Sequence, residues 1–114
     1  MKQYLSPEQT AKLIELGFEK PKSIIDVWAH ETDIDIEYEY EYAYSIGELI
    51  EMLQKRVYQI EDSGIPCDLN IHYDGGTWLI VFICERDGRF KTEMFELIDA
   101  LYLILVKLKE AEVI

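Results

Sequence analysis

The chain predicts an α+β domain: an antiparallel sheet of four to five strands with helices on one face, in the order α-ββ-α-ββ-α. Three observations carry this. Between Asp33 and Tyr44 every even position is Ile or Tyr, and every odd position from 33 to 41 is Asp or Glu. Only a strand turns that period of two into an apolar-aromatic face and an acidic face; at 100° per residue a helix would scatter both sets around its surface. Residues 46–60 and 95–108 instead repeat their apolar positions at helical spacing. Two further apolar runs are joined by Asp74-Gly75-Gly76, a turn that needs glycine at positive φ. At 114 residues, residues 1–114 make one domain.

Taken in order, Ser6-Pro7-Glu8-Gln9 opens a helix, with Ser6 as N-cap, Pro7 at the first helical position and Gln9 three after the cap. It carries Ala11, Leu13 and Ile14 and ends at Gly17, so that Phe18 packs back on Leu13. A short strand, Ile24 to Trp28, follows the break at Lys20-Pro21-Lys22, and a polar turn at His30 to Asp33 leads into the alternating strand. A one-residue slip there would turn five carboxylates to the core, so tyrosines are expected inward and acids outward.

The second helix has a capping box, Ser45 with Glu48, and a staple of Tyr44 on Leu49. Ile46, Leu49, Ile50, Leu53, Val57 and Ile60 form its buried stripe, and Gly64-Ile65-Pro66 ends it. Cys67 to Tyr73 alternates with odd residues inward. Thr77 to Cys84 is apolar on both faces, as expected of a central strand or one covered by another element or subunit. Asp87-Gly88 is a turn before a short edge strand through Phe90. A last helix is expected from about Thr92 to Lys109, strand being the alternative for the apolar residues 101–106.

The net charge is −12, from 23 acids and 11 bases. Nine acids (Asp26, Glu31, Asp33, Asp35, Glu37, Glu39, Glu41, Glu48, Glu51) and no Lys or Arg fall between Ser23 and Gln54. Such a segment repels phosphate backbones, which argues against direct nucleic-acid binding, and attracts a basic partner or a cation. Nothing near the N-terminus reads as a signal peptide, and the apolar run Ala100 to Val106 is too short to span a bilayer, so a cytoplasmic, membrane-free protein is expected. Cys67 and Cys84 sit in apolar patterns and read as buried free thiols rather than a disulfide framework.

The opening Leu5-Ser6-x-x-Gln9-x-x-x-Leu13-x-x-Leu16-Gly17-Phe18, the run Tyr44 to Leu53, the Trp78 strand and Glu96-Leu97-Ile98-Asp99-Ala100-Leu101-Tyr102 occur in this order. In these motifs the chain resembles small uncharacterised acidic proteins of bacterial genomes, phages and mobile elements. The resemblance implies a fold and a setting; it implies no activity.

Candidate function rests on the carboxylates. Asp33, Asp35, Glu37, Glu39 and Glu41 stand about 6.5–7 Å apart along one strand face. That ladder reads as a solvated face that discourages edge-to-edge pairing, as a strip for a basic partner or a mimic of a nucleic-acid backbone, or as a cation site. A single strand presents its oxygens in a line, which suits a cation poorly. Tyr38, Tyr40, Tyr42 and Tyr44 read as core-facing, with a base- or sugar-stacking surface as the alternative. Asp68, Asn70, His72 and Asp74 share a face at a spacing too wide for one ion, and no nucleophile or phosphate-loop motif is present. The expectation is a non-enzymatic protein-interaction module without cofactor or metal, binding a basic partner through Asp33, Asp35, Glu37, Glu39, Glu41 and Glu48. Homodimerisation is expected through the outer face of the 77–84 strand or the last helix. The alternative is a small enzyme or ligand-binding protein with a tyrosine-lined pocket.

Overall fold

Helix α1 (Pro7–Glu15) begins where Ser6 and Gln9 cap one another, each side chain accepting from the other's backbone N–H. It stops at Gly17, whose φ of +96° lets the Phe18 N–H reach the Leu13 carbonyl. In the computed structural model, which describes residues 1–114, the elements that follow are β1 (Ser23–Glu31), β2 (Ile36–Ala43), α2 (Ile46–Asp62), β3 (Cys67–Asp74), β4 (Thr77–Cys84), β5 (Gly88–Met94) and α3 (Leu97–Glu110).

The class is α+β, as expected, but the strands do not make one sheet. They divide into an antiparallel pair, β1-β2, and an antiparallel three-stranded sheet in the order β3-β4-β5. The element order is α-ββ-α-βββ-α, because the stretch expected to begin the last helix is a full strand. Exposed Arg89, Lys91 and Glu93 alternate with the more buried Phe90, Thr92 and Met94, and Thr92 lies in β5, pairing with Ile80. Its buried hydroxyl donates to the Ala100 carbonyl at 2.8 Å, which joins strand to helix without leaving a polar group unpaired.

The core lies between the three-stranded sheet and helices α2 and α3. Ile80, Phe82 and Cys84 point inward from β4, on which α3 packs, while Leu49, Leu53, Val57 and Ile60 are buried on α2, which packs on α3 and β3. Residues 101–106 are helical, and Leu101, Ile104 and Leu105 are fully buried, which explains why that segment is so apolar. A further tie comes from Asp99 on α3, which accepts from Lys2 Nζ at 3.0 Å and Gln9 Nε2 at 2.9 Å.

The other face of β4 carries Leu79, Val81 and Ile83. Each stands between polar cross-strand neighbours: His72 and Glu93, Asn70 and Lys91, Asp68 and Arg89. Val81 is buried there, and Ile83 is the most open of the three. Cys67 and Cys84 are directly opposed across β3 and β4, both free and buried. Burial, with Cys84 beside it, pushes the Cys67 thiol up to about 11, so it is the neutral thiol at ordinary pH. No helix is long and apolar enough to cross a membrane.

The β1-β2 pair leaves this body as an arm. The Cα radius of gyration is 16.9 Å and the molecule measures 60 × 35 × 19 Å, against a radius of about 13 Å for a compact chain of this length. Nine-residue β1 spans about 30 Å. Its packing partner is β2; no helix or strand of the body lies against either strand to a comparable extent.

Candidate functional site

The arm holds seven acids (Asp26, Glu31, Asp33, Asp35, Glu37, Glu39, Glu41) and no Lys or Arg. Its strands pair so that Ala29 opposes Tyr38, Val27 opposes Tyr40 and Ile24 opposes Tyr42. Opposed residues share a face, so these six with Ile36 form an apolar-aromatic surface. On the reverse face Asp26, Trp28 and His30 oppose Glu41, Glu39 and Glu37. A bulge at Ile25 produces this assignment: the extra residue shifts the parity of β1 and sends Trp28 to the acidic side.

The expected inward tyrosines are a correction. Tyr38, Tyr40 and Tyr42 are 58%, 45% and 46% exposed, and Ile24, Val27 and Ile36 are open to a similar degree. The alternation sorts the side chains into two faces as expected, but no layer of the body covers the aromatic one. Tyr44 alone is buried; its hydroxyl donates to the Glu19 carbonyl. Burial, helped by the charges of Glu48 and Glu19, pushes the Tyr44 hydroxyl up to about 12.

The carboxylate ladder is also shorter than expected. Asp33 and Asp35 belong to the turn at the arm's tip, not to the strand. Thr32 closes that turn: its N–H and hydroxyl both donate to the Asp35 carbonyl, at 2.9 and 2.7 Å. Asp35 turns one carboxylate oxygen to the Ile36 N–H at 2.7 Å, and Ile34 between them is almost wholly exposed. Glu37, Glu39 and Glu41 remain as the strand's acidic row, with Glu39 taking a 3.0 Å contact from His30 Nε2.

Glu48 sits apart from the arm's acidic row, at the N-terminus of α2. Its carboxylate accepts from the backbone N–H groups of Lys22 (2.9 Å), Ser23 (3.2 Å) and Ser45 (3.3 Å), and from the Ser23 hydroxyl. One side chain thereby caps α2 and ties that cap to the start of β1 at the root of the arm. Burial works to raise its pKa, but the Ser23 hydroxyl and the N–H groups of Lys22, Ser45 and Ser23 together outweigh it and hold the carboxyl below its ordinary value.

A depressed carboxyl stabilises the fold above its unfolded pKa of 4.5 and loses that contribution as pH falls through the folded value. Glu48→Gln is expected to cost about 1–3 kcal/mol at pH 7 and to flatten the loss of stability below pH 4.5. Denaturant melts at pH 7 and pH 3.5 check it; an unchanged difference between the two would remove Glu48 from the acid transition.

Seven depressions mark the surface, two of them better formed than the rest. One of about 160 Å³ is lined by Glu19, Lys22, Tyr44, Glu48 and Lys55 among others, and one of about 220 Å³ lies between α2 and the start of β3. Neither includes Tyr38, Tyr40 or Tyr42, which stand on an open sheet. No three His, Cys, Asp or Glu side chains converge as metal ligands; Asp68 and Asn70 bond to each other at 3.1 Å. The arm gathers Ile24, Val27, Trp28, Ile36, Tyr38, Tyr40 and Tyr42, all exposed, with seven acids on one hairpin. The molecule belongs, by its architecture, to the α+β proteins that carry a projecting β-hairpin. The chain matches no protein-family model, no curated protein and no solved structure at a significant level.

Proposed function

We propose that this is a non-enzymatic protein-interaction module that holds a basic partner surface on the β1-β2 arm, in the setting of the small acidic proteins of bacterial genomes, phages and mobile elements that it resembles. One observation carries the reading: an arm that no helix or strand of the body covers beyond its root, apolar on one face, with seven acids and none of the chain's 11 bases. A two-stranded hairpin is marginal alone in water, and this one leaves its apolar face wet. A partner that covers this face and balances the charge stabilises it twice over.

The acidic face suits cations in a second way. Trp28 lies directly opposite Glu39, flanked by the Asp26–Glu41 and His30–Glu37 pairs. A Lys or Arg placed there meets an indole face and carboxylates together, and both interactions favour a cation.

The test is the triple variant Glu37→Lys, Glu39→Lys, Glu41→Lys, used as bait beside the wild type in a native-host lysate. All three side chains lie on the uncovered arm, so the body should melt as the wild type does, while the basic partner is lost. Recovery of the same partner by both baits would remove the acidic row from the interaction.

A further inference from the structure

We infer that the arm binds its partner by strand addition: the free edge of β2 takes an extended segment in which basic and apolar residues alternate. This rests on the arm being the interaction surface and adds how the partner docks and what its sequence looks like.

Sheet order leaves both edges of the arm without a neighbouring strand. An open edge presents unpaired N–H and C=O groups, a template for another strand. The two edges differ. That of β1 is interrupted by the bulge at Ile25, and the Val27 N–H already donates to the Asp26 carboxylate at 2.8 Å. Bulges and local capping of this kind blunt an edge. β2 runs from Ile36 to Ala43 with no bulge, no proline and no lysine, and its one amide capped in this way, the Ile36 N–H on the Asp35 carboxylate, lies at the very start of the strand. Its edge is the receptive one.

Side chains then dictate the occupant. An added strand places successive residues on opposite faces, beside Tyr38, Tyr40 and Tyr42 on one and Glu37, Glu39 and Glu41 on the other. Apolar residues suit the first row and Lys or Arg the second, so a period of two with basic and apolar residues in turn satisfies both at once. A second copy of β2 does not. Antiparallel pairing centred on Glu39 sets Glu37 against Glu41 and Glu39 against itself, like charges directly opposite one another, which disfavours the pair. Shifting by one residue sets tyrosines against glutamates and spoils both faces. The same acids that keep the edge from self-association select a basic strand.

The probe is a fluorescent, N-acetylated peptide of β2's length with Lys and Val alternating. Its controls are a peptide of the same composition with Lys and Val in separate blocks, and two peptides N-methylated on every second amide, one in each phase. N-methylation removes donors on one edge of the peptide and leaves the side chains in place, so only one phase should block pairing. Expected in anisotropy titrations is binding by the alternating peptide, a loss of at least about tenfold for the block peptide, and the same loss in one methylated phase only. Equal binding of the alternating and block peptides, or of both methylated phases and the parent, would overturn strand addition while leaving the acidic arm as the binding surface. Binding by none of the four would overturn that reading too. A dimer in sedimentation that disappears when the arm is removed would assign the edge to a second copy and overturn the inference.

Discussion

Phe82→Ala is expected to lower the stability of the folded protein by about 3–5 kcal/mol, the cost of emptying a phenylalanine site in a packed core. Phe82 is fully buried in the central strand of the three-stranded sheet, with Leu69 and Phe90 opposite it on β3 and β5. Its ring meets that of Phe90 edge-on at 6.5 Å between centroids. Helices α2 and α3 close over the same face, so no neighbour can swing in to fill the space without breaking another contact. At roughly 4 °C per kcal/mol the melting temperature should fall by about 12–20 °C. Tyr40→Ala is the matched control. Tyr40 is as large, but 45% exposed on the arm, and its loss should cost under about 1 kcal/mol. Thermal melts of the two variants side by side decide the matter. Comparable losses would mean that the arm's aromatic row belongs to the cooperative core.

That contrast marks where the sequence informs and where it is silent. Features set by neighbours in the chain were legible. The capping boxes of Ser6 with Gln9 and Ser45 with Glu48 form as their spacing predicts. Gly17 and Gly64 close their helices at positive φ, and Asp74 with Gly75-Gly76 turns β3 into β4. The period of two across Glu37 to Tyr42 sorts tyrosines from acids correctly. It does not say what covers the tyrosines, because a strand's alternation reports that its two faces differ, not which is buried.

The tip of the arm had a signal in Thr32 and Asp35, residues that bond their own backbone in turns. The alternating Asp33-Ile34-Asp35 letters masked it. Trp28 on the acidic face had none, since the bulge that puts it there falls at Ile25, where no glycine marks the position. The role of Glu48 was half visible. Its place three residues after Ser45 predicts the cap, but its bonds to Lys22 and Ser23 cross about 25 residues of chain, and no local pattern encodes them. The extent of β5 was only partly legible: Arg89, Lys91 and Glu93 alternate with Phe90 and Met94, but Thr92 breaks the apolar row and good helix formers follow Phe95.

Excising the arm is expected to leave the body folded and to abolish partner binding. Ile24 and Tyr42 face each other near the root, so an Asn-Gly turn can replace residues 25–41 and join them directly, the dipeptide being suited to a two-residue hairpin. Below the cut the anchoring contacts persist: Ser23 opposite Ala43, the Glu48 clamp on Lys22 and Ser23, and the buried Tyr44 hydroxyl on the Glu19 carbonyl. Above it, the segment removed packs on itself and not on the body. Stability should therefore change by less than about 1 kcal/mol, an order below what a comparable length of core would cost. The radius of gyration in solution scattering should fall from the 16.9 Å of the intact chain towards that of a compact body. Hydrogen exchange on the full protein supplies the complementary view. Arm amides, with no third strand and no covering layer, should exchange far faster than those of β4 or α3, and should gain protection along β2 when the alternating Lys-Val peptide is bound. A body that unfolds on excision would show that the hairpin is part of the fold's cooperative unit. Its exposed tyrosines and glutamates would then have to be explained by stability rather than by a partner.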